Sequence, residues 1–198
     1  MSAYPINQTT WEAGLTMASF IERLVDHKAA MQRRYRDVQL TAEEIARFSQ
    51  LPHPVSMVVM TEEWCTDCLM VLPILAKIVE ASPAMQLRIY VRREWPALRD
   101  YYVSQDIHSI PVATFLDADF QVMSCWIERP AEGHRWLAQW KGQHPEIEIT
   151  RKRADLSSEE KRGLLKGVMD QLLVDMEQAY ADGLQSETVS EIANLLGV

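Results

Sequence analysis

Two cysteines three residues apart, Cys65 and Cys68 in the stretch Trp64-Cys65-Thr66-Asp67-Cys68, are the residues of this chain best suited to covalent chemistry. Side chains at i and i+3 of a helix share a face, and that separation falls within the Cα distances a disulfide can bridge. A cysteine that begins a helix meets unpaired backbone N–H groups and the positive end of the helix dipole, which favour its thiolate. Such a pair can open and close as a dithiol and a disulfide. The reading expects the Cys65 sulfur exposed at a helix start and Cys68 one turn deeper.

A CxxC pair also serves as half of a zinc site, and many cysteines are simply small buried hydrophobes. A closed zinc site needs four ligands. The only other cysteine is the solitary Cys125, and His27, His53, His108, His134 and His144 show no paired spacing, so no zinc site is expected, and thiol–disulfide exchange itself needs neither a metal nor an organic cofactor. Zinc or iron–sulfur ligation by Cys65 and Cys68 from two chains is the remotest alternative.

The elements around the pair must position it. Val55-Ser56-Met57-Val58-Val59-Met60, bounded by Pro52 and Pro54, reads as a strand buried on both faces, 55–61. Leu69, Leu72, Leu75, Ala76 and Val79 then recur at helical intervals up to Ser82-Pro83, which predicts a helix over 65–81. Pro73 falls inside it and should kink it. Downstream, Ser109-Ile110-Pro111-Val112-Ala113-Thr114-Phe115-Leu116 puts a proline at the start of an apolar run, a place where strands tolerate one.

Together, WCxxC, a proline five residues on, and an Ile-Pro opening a later strand resemble the thioredoxin superfamily, and more loosely the longer bacterial thioredoxin-like proteins with WCxDC and helical extensions. The resemblance covers roughly residues 52–143. It implies an α/β, thioredoxin-like fold, a central mixed sheet flanked by helices, here with helical N- and C-terminal extensions. It also implies that Cys65 is the nucleophile and Cys68 the resolving cysteine. Trp64 becomes the aromatic flank, Pro111 a cis-proline, and Ile110 a source of backbone groups for an extended substrate. Many thioredoxins bury an acid six residues before the nucleophile; that position here is Val59, so proton handling must differ, with Asp67, Glu63 or water as substitutes.

Between the cysteines, Thr66 and Asp67 are expected to modulate the pair. Asp67, with Glu62 and Glu63, should disfavour a nearby thiolate and make the couple more reducing, unless Asp67 only caps the helix start. His108 reads as a solvated loop residue that could reach the active face. Cys125 reads as a buried structural thiol, and Trp126, Trp136 and Trp140 as core contacts.

Composition agrees with a compact protein: 198 residues, 47% hydrophobic, and 20 basic against 28 acidic residues for a formal charge of −8. The only basic clusters, Arg33-Arg34 and Arg151-Lys152-Arg153, are too short for a nucleic-acid surface. No apolar run approaches the ~20 residues of a membrane span, and the N-terminal stretch lacks a charged segment followed by an apolar one. A cytoplasmic protein is expected, where a CxxC is catalytic or redox-sensing more often than structural.

Three zones follow. Residues 1–51 read as helical, with capping boxes Thr9-x-x-Glu12 and Thr41-x-x-Glu44, and only Val38-Gln39-Leu40 as a weak first strand. Residues 52–143 form the core, continuing with strand 86–93, helix 96–104, strands 112–117 and 121–127 joined at Asp117-Ala118-Asp119, and helix 131–142. Residues 144–198 form a helical extension, with Ser157-x-x-Glu160 capping a long helix and Ser186 starting another. The stripe Leu164, Leu165, Val168, Met169, Leu172, Leu173 and Met176 either packs internally or forms a homodimer surface. Two functional classes remain. One is a thiol–disulfide oxidoreductase acting on a disulfide-containing protein or small molecule, re-reduced by a partner of unknown identity. The other is a binding or adaptor module in which the redox pair is secondary.

Overall fold

A computed structural model of the chain describes residues 3–198; Met1 and Ser2, which begin the expected N-terminal extension, lie outside the described residues. The chain divides into two compact units, residues 1–129 with 188–198, and residues 130–187.

The first unit is built on a four-stranded mixed sheet. Its strands are β1 (Val55–Thr61), β2 (Met85–Val91), β3 (Val112–Leu116) and β4 (Val122–Ile127), in the order β2-β1-β3-β4. Six of the seven β1 residues are buried, as a β-branched and methionine run without alternation demands. β1 pairs parallel with β2 and antiparallel with β3, and β3 pairs antiparallel with β4. This is the thioredoxin-like arrangement expected from the sequence.

Helix α5 (Thr66–Glu80) follows β1 directly and packs against β2, with α3 (Lys28–Asp37) and α4 (Ala42–Ser49) against it. It buries all but four of its 15 residues, Pro73 included, so it is a core helix without a polar face. The order is completed by α1 (Gln8–Trp11), α2 (Met17–Arg23) and α6 (Pro96–Ser104).

The N-terminal zone is helical but differs in detail from the sequence reading. Asn7, not Thr9, caps α1, with Thr10 closing the capping box, and Thr16 caps a separate α2. Thr9 and Glu12 have the right spacing, yet Asn7 has two free N–H groups within reach, those of Thr9 and Thr10. The Thr41 and Ser157 boxes form as read. Val38–Leu40 forms no strand; the outer edge of β2 is met instead by Leu15, whose N–H and C=O exchange hydrogen bonds with Ile89 at 2.9 and 2.8 Å.

The second unit contains α7 (Ala131–Gln143), α8 (Glu146–Lys152), α9 (Ser158–Ala179) and a short π turn, Tyr180–Leu184, that precedes α10 (Gln185–Leu196). The helical path breaks at Gly183, where φ is 152°, a conformation that suits glycine. Of the long apolar stripe, Leu165, Leu172 and Met176 are buried, whereas Leu164 is 64% exposed. Among the described residues no helix is long and apolar enough to cross a membrane.

Candidate functional site

Cys65 is the N-cap residue of α5. Its backbone is extended, at φ −79° and ψ 119°, and its sulfur accepts the Cys68 N–H at 3.2 Å. A cap normally uses an oxygen; here a sulfur fills the role, which leaves a helix-terminal donor aimed at the atom that must carry negative charge as a thiolate. Both cysteines are free thiols.

The Cys65 S–H donates to the Ile110 carbonyl oxygen at 3.5 Å, and the Ile110–Pro111 peptide bond is cis. The site therefore joins two segments 45 residues apart in sequence: the β1–α5 junction and the start of β3. The Pro111 carbonyl in turn accepts the Glu128 N–H at 2.7 Å, which ties this segment to the end of β4.

The sequence reading expects an exposed Cys65, and the structure differs: the residue is only 8% exposed, and the exposed neighbour is Trp64, at 66%. The Ile110 segment lies over the sulfur, which no local pattern could foretell. Cys68 is 1% exposed. Burial pushes its thiol well above the ordinary value, and Cys65 alongside adds to the effect; the Thr61 hydroxyl and the Glu62 backbone oppose it.

Asp67 is buried and does not act as the cap. Its carboxylate receives Nε and Nη2 of Arg129 at 2.8 and 2.6 Å, while Arg129 also reaches Glu128 at 2.6 Å. Glu62 is buried too and accepts the Arg93 backbone N–H at 2.8 Å and its Nη1 at 3.0 Å. Glu63 accepts from Arg93 at 2.9 Å and lies 3.2 Å from Arg23. The expectation that these three carboxylates weigh on the thiolate treated them as unpaired. Each has an arginine partner, so its field at the sulfur is largely offset.

Thr66 is the first residue of α5 and half-buried. His108 is exposed and pairs with Asp106 at 3.1 Å, and its backbone carbonyl accepts Arg92 Nη1 at 3.3 Å. Cys125 sits in β4 opposite Thr114, whose hydroxyl lies 3.7 Å from its sulfur, and burial raises its thiol. Trp126 is buried with its indole N–H on Glu191 at 2.7 Å. In the second unit Trp140 is buried and Trp136 half-buried. Val59 is fully buried in β1. Among the described residues no three His, Cys, Asp or Glu side chains are grouped as metal ligands.

The residues missed by sequence reasoning are Thr61, Arg93 and Arg129. Arg129 lies 62 positions from its partner, beyond any spacing rule. Thr61, the last residue of the buried strand, is a polar residue in an apolar run, and that was the one available signal.

The chain belongs to the thioredoxin family: residues 14–141 match the family model described as thioredoxin. Among solved structures it is similar to a protein of unknown function from Pseudomonas aeruginosa, at 16% identity and TM-score 0.66, over 100% of this chain and 98% of that one. It is also similar to an HIV epitope scaffold, at 16% identity and TM-score 0.63, over 96% of each chain. These likenesses concern the fold. No curated protein matches the chain.

Proposed function

We propose that the protein is a thiol–disulfide oxidoreductase in which Cys65 attacks a substrate disulfide and Cys68 resolves the mixed disulfide that forms. The observation that carries this reading is the Cys65 sulfur at a helix N-cap, held between the Cys68 N–H at 3.2 Å and the Ile110 carbonyl at 3.5 Å. Family membership supports a thiol–disulfide redox role in general, and the difference in environment between the two thiols divides the labour. Cys65 has a backbone donor for its thiolate; Cys68 is held neutral until a substrate is attached.

Trp64, exposed beside the nucleophile, and the backbone at Ile110 and Pro111 would contact an extended disulfide-bearing segment. Substrates are then disulfide-containing proteins or small molecules, and a separate reductant returns the pair to free thiols. A reducing compartment such as the cytoplasm suits that cycle.

The test is capture of the intermediate. Reduced Cys68→Ser incubated with oxidised glutathione or insulin should accumulate a mixed disulfide at Cys65, seen by intact mass and lost on reduction. Cys65→Ser should give none. Absence of any adduct at Cys65 in the Cys68→Ser protein would end the proposal.

A further inference from the structure

The two cysteines begin a helix that cannot hydrogen-bond itself throughout. Each carbonyl of an α-helix accepts the N–H four residues on. Pro73, four residues beyond Leu69, has no N–H, so the Leu69 carbonyl, next in sequence to Cys68, loses its intrahelical donor. The gap falls in the core, where Leu69, Met70 and Pro73 are all buried and a carbonyl needs a partner.

The partner comes from another helix. Arg34 of α3, half-buried, donates Nε to the Leu69 carbonyl at 3.2 Å and Nη2 to the Met70 carbonyl at 3.4 Å. The same helix grips α5 beyond the proline: the Tyr35 hydroxyl hydrogen-bonds the Glu80 carboxylate, and Lys77 Nζ lies 4.5 Å from the centre of the Tyr35 ring. Helix α3 thus splints the break, with Tyr35 on its far side and Arg34 on the side that carries the cysteines. The turn steadied by Arg34 is the one in which the Leu69 N–H bonds the Cys65 carbonyl at 3.1 Å and the Cys68 N–H bonds the Cys65 sulfur at 3.2 Å.

We infer that Arg34 is a positioning residue of the dithiol, supplying from α3 the donor that Pro73 withholds and so keeping the Cys68 N–H on the Cys65 sulfur. The inference rests on the dithiol role proposed above for the pair. It makes Arg34 and Pro73 interdependent. Where residue 73 regains an N–H, the Leu69 carbonyl no longer needs the guanidinium.

The probe is iodoacetamide on reduced Cys68→Ser, Cys125→Ala protein, in which Cys65 is the only thiol. Arg34→Met should slow alkylation about three- to tenfold at about pH 7 and move the pH–rate profile to higher pH, as weakening a hydrogen bond to a thiolate does. With Pro73→Ala also present, the same substitution should change the rate by less than about twofold, the mark of a shared interaction in a double-mutant cycle. Equal slowing in both backgrounds would show that only the charge of the guanidinium is felt, and would overturn the inference. An unchanged profile where Pro73 is present, with only the urea midpoint lowered, would overturn it too. Should Arg34→Met fail to fold, Arg34→Gln read through the same two backgrounds decides between these outcomes. Failure of the oxidoreductase reading shows separately, as the absence of a mixed disulfide when the same parent protein meets oxidised glutathione.

Discussion

At the scale of single residues, the unexpected feature is that the acidic neighbourhood of the cysteines is neutralised from a distance. Asp67 and Arg129 have side chains only 12% and 11% exposed, and they meet through two nitrogens on two oxygens. A pair of this kind contributes little net field while intact, and much when one partner is removed. Asp67→Asn removes one of the two carboxylates that share the Arg129 guanidinium, leaving Glu128 as its charged partner, and so takes a negative charge from beside the first turn of α5, favouring the Cys65 thiolate and hence the reduced form. The couple should become more oxidising by about 20–40 mV, corresponding to roughly 1–2 kcal/mol. Arg129→Met should move it the other way and cost about 3 kcal/mol of stability, and the double variant should lie between. Equilibration with glutathione reads the potentials; equal or reversed shifts would refute the electrostatic account. The cysteine pair was legible from types and spacing, Pro111 as a cis-proline from the family resemblance, and Asp67 as a neighbour of the pair though not as an arginine partner. Arg129 was not, because its role depends on β4 ending beside the start of α5, a fact of tertiary structure.

Elements were legible where hydrophobic period and punctuation agreed. The middle zone follows its sequence reading to within two residues at every boundary, from Val55–Thr61 to Ala131–Gln143, because strand and helix periods there are strong and prolines mark their ends. The sheet edge was not legible, since Leu15 makes an isolated bridge and one residue has no period. Its close approach to β2 depends on Gly14, where an added Cβ would lie 2.6 Å from Tyr90 Cζ and 2.7 Å from Arg88 Cβ. Tyr90 is fully buried, and its hydroxyl donates to the Trp11 carbonyl at 3.1 Å, so the ring cannot retreat without losing that bond. Gly14→Ala should therefore destabilise the sheet-bearing unit by about 1–3 kcal/mol, as overpacking does, read as a lower urea midpoint with unchanged thiol stoichiometry. A midpoint equal to the parent's would mean that the Leu15 segment shifts freely and does not guard the edge.

For the molecule as a whole, the burial that keeps Cys68 neutral recurs across the sheet-bearing unit and sets its response to pH. Tyr4 donates to or accepts from Tyr102 at 2.9 Å, and Tyr102 likewise pairs with Thr114 at 2.6 Å, next to Cys125. Burial raises Tyr4, Tyr90 and Tyr102 above the ordinary 10.0, and Cys68 and Cys125 above the ordinary 9.0. In the unfolded chain these groups return to their ordinary values and release protons that the folded unit retains. The stability they contribute is thus fully present below about pH 9 and is lost as pH rises beyond it, first through the thiols and then through the tyrosines. In the second unit the clearest shift has the opposite sense: Asp155 is held down to about 2 by Arg153, and since the pair is fully exposed its contribution is small and is lost only in acid. Under reducing conditions the urea midpoint should stay level between about pH 7 and pH 9 and then fall with a steepening slope, toward about 1.4 kcal/mol per pH unit for each group engaged. Tyr102→Phe combined with Cys125→Ala should flatten that slope. A midpoint unchanged up to about pH 11 would show that these groups titrate in place without opposing the fold.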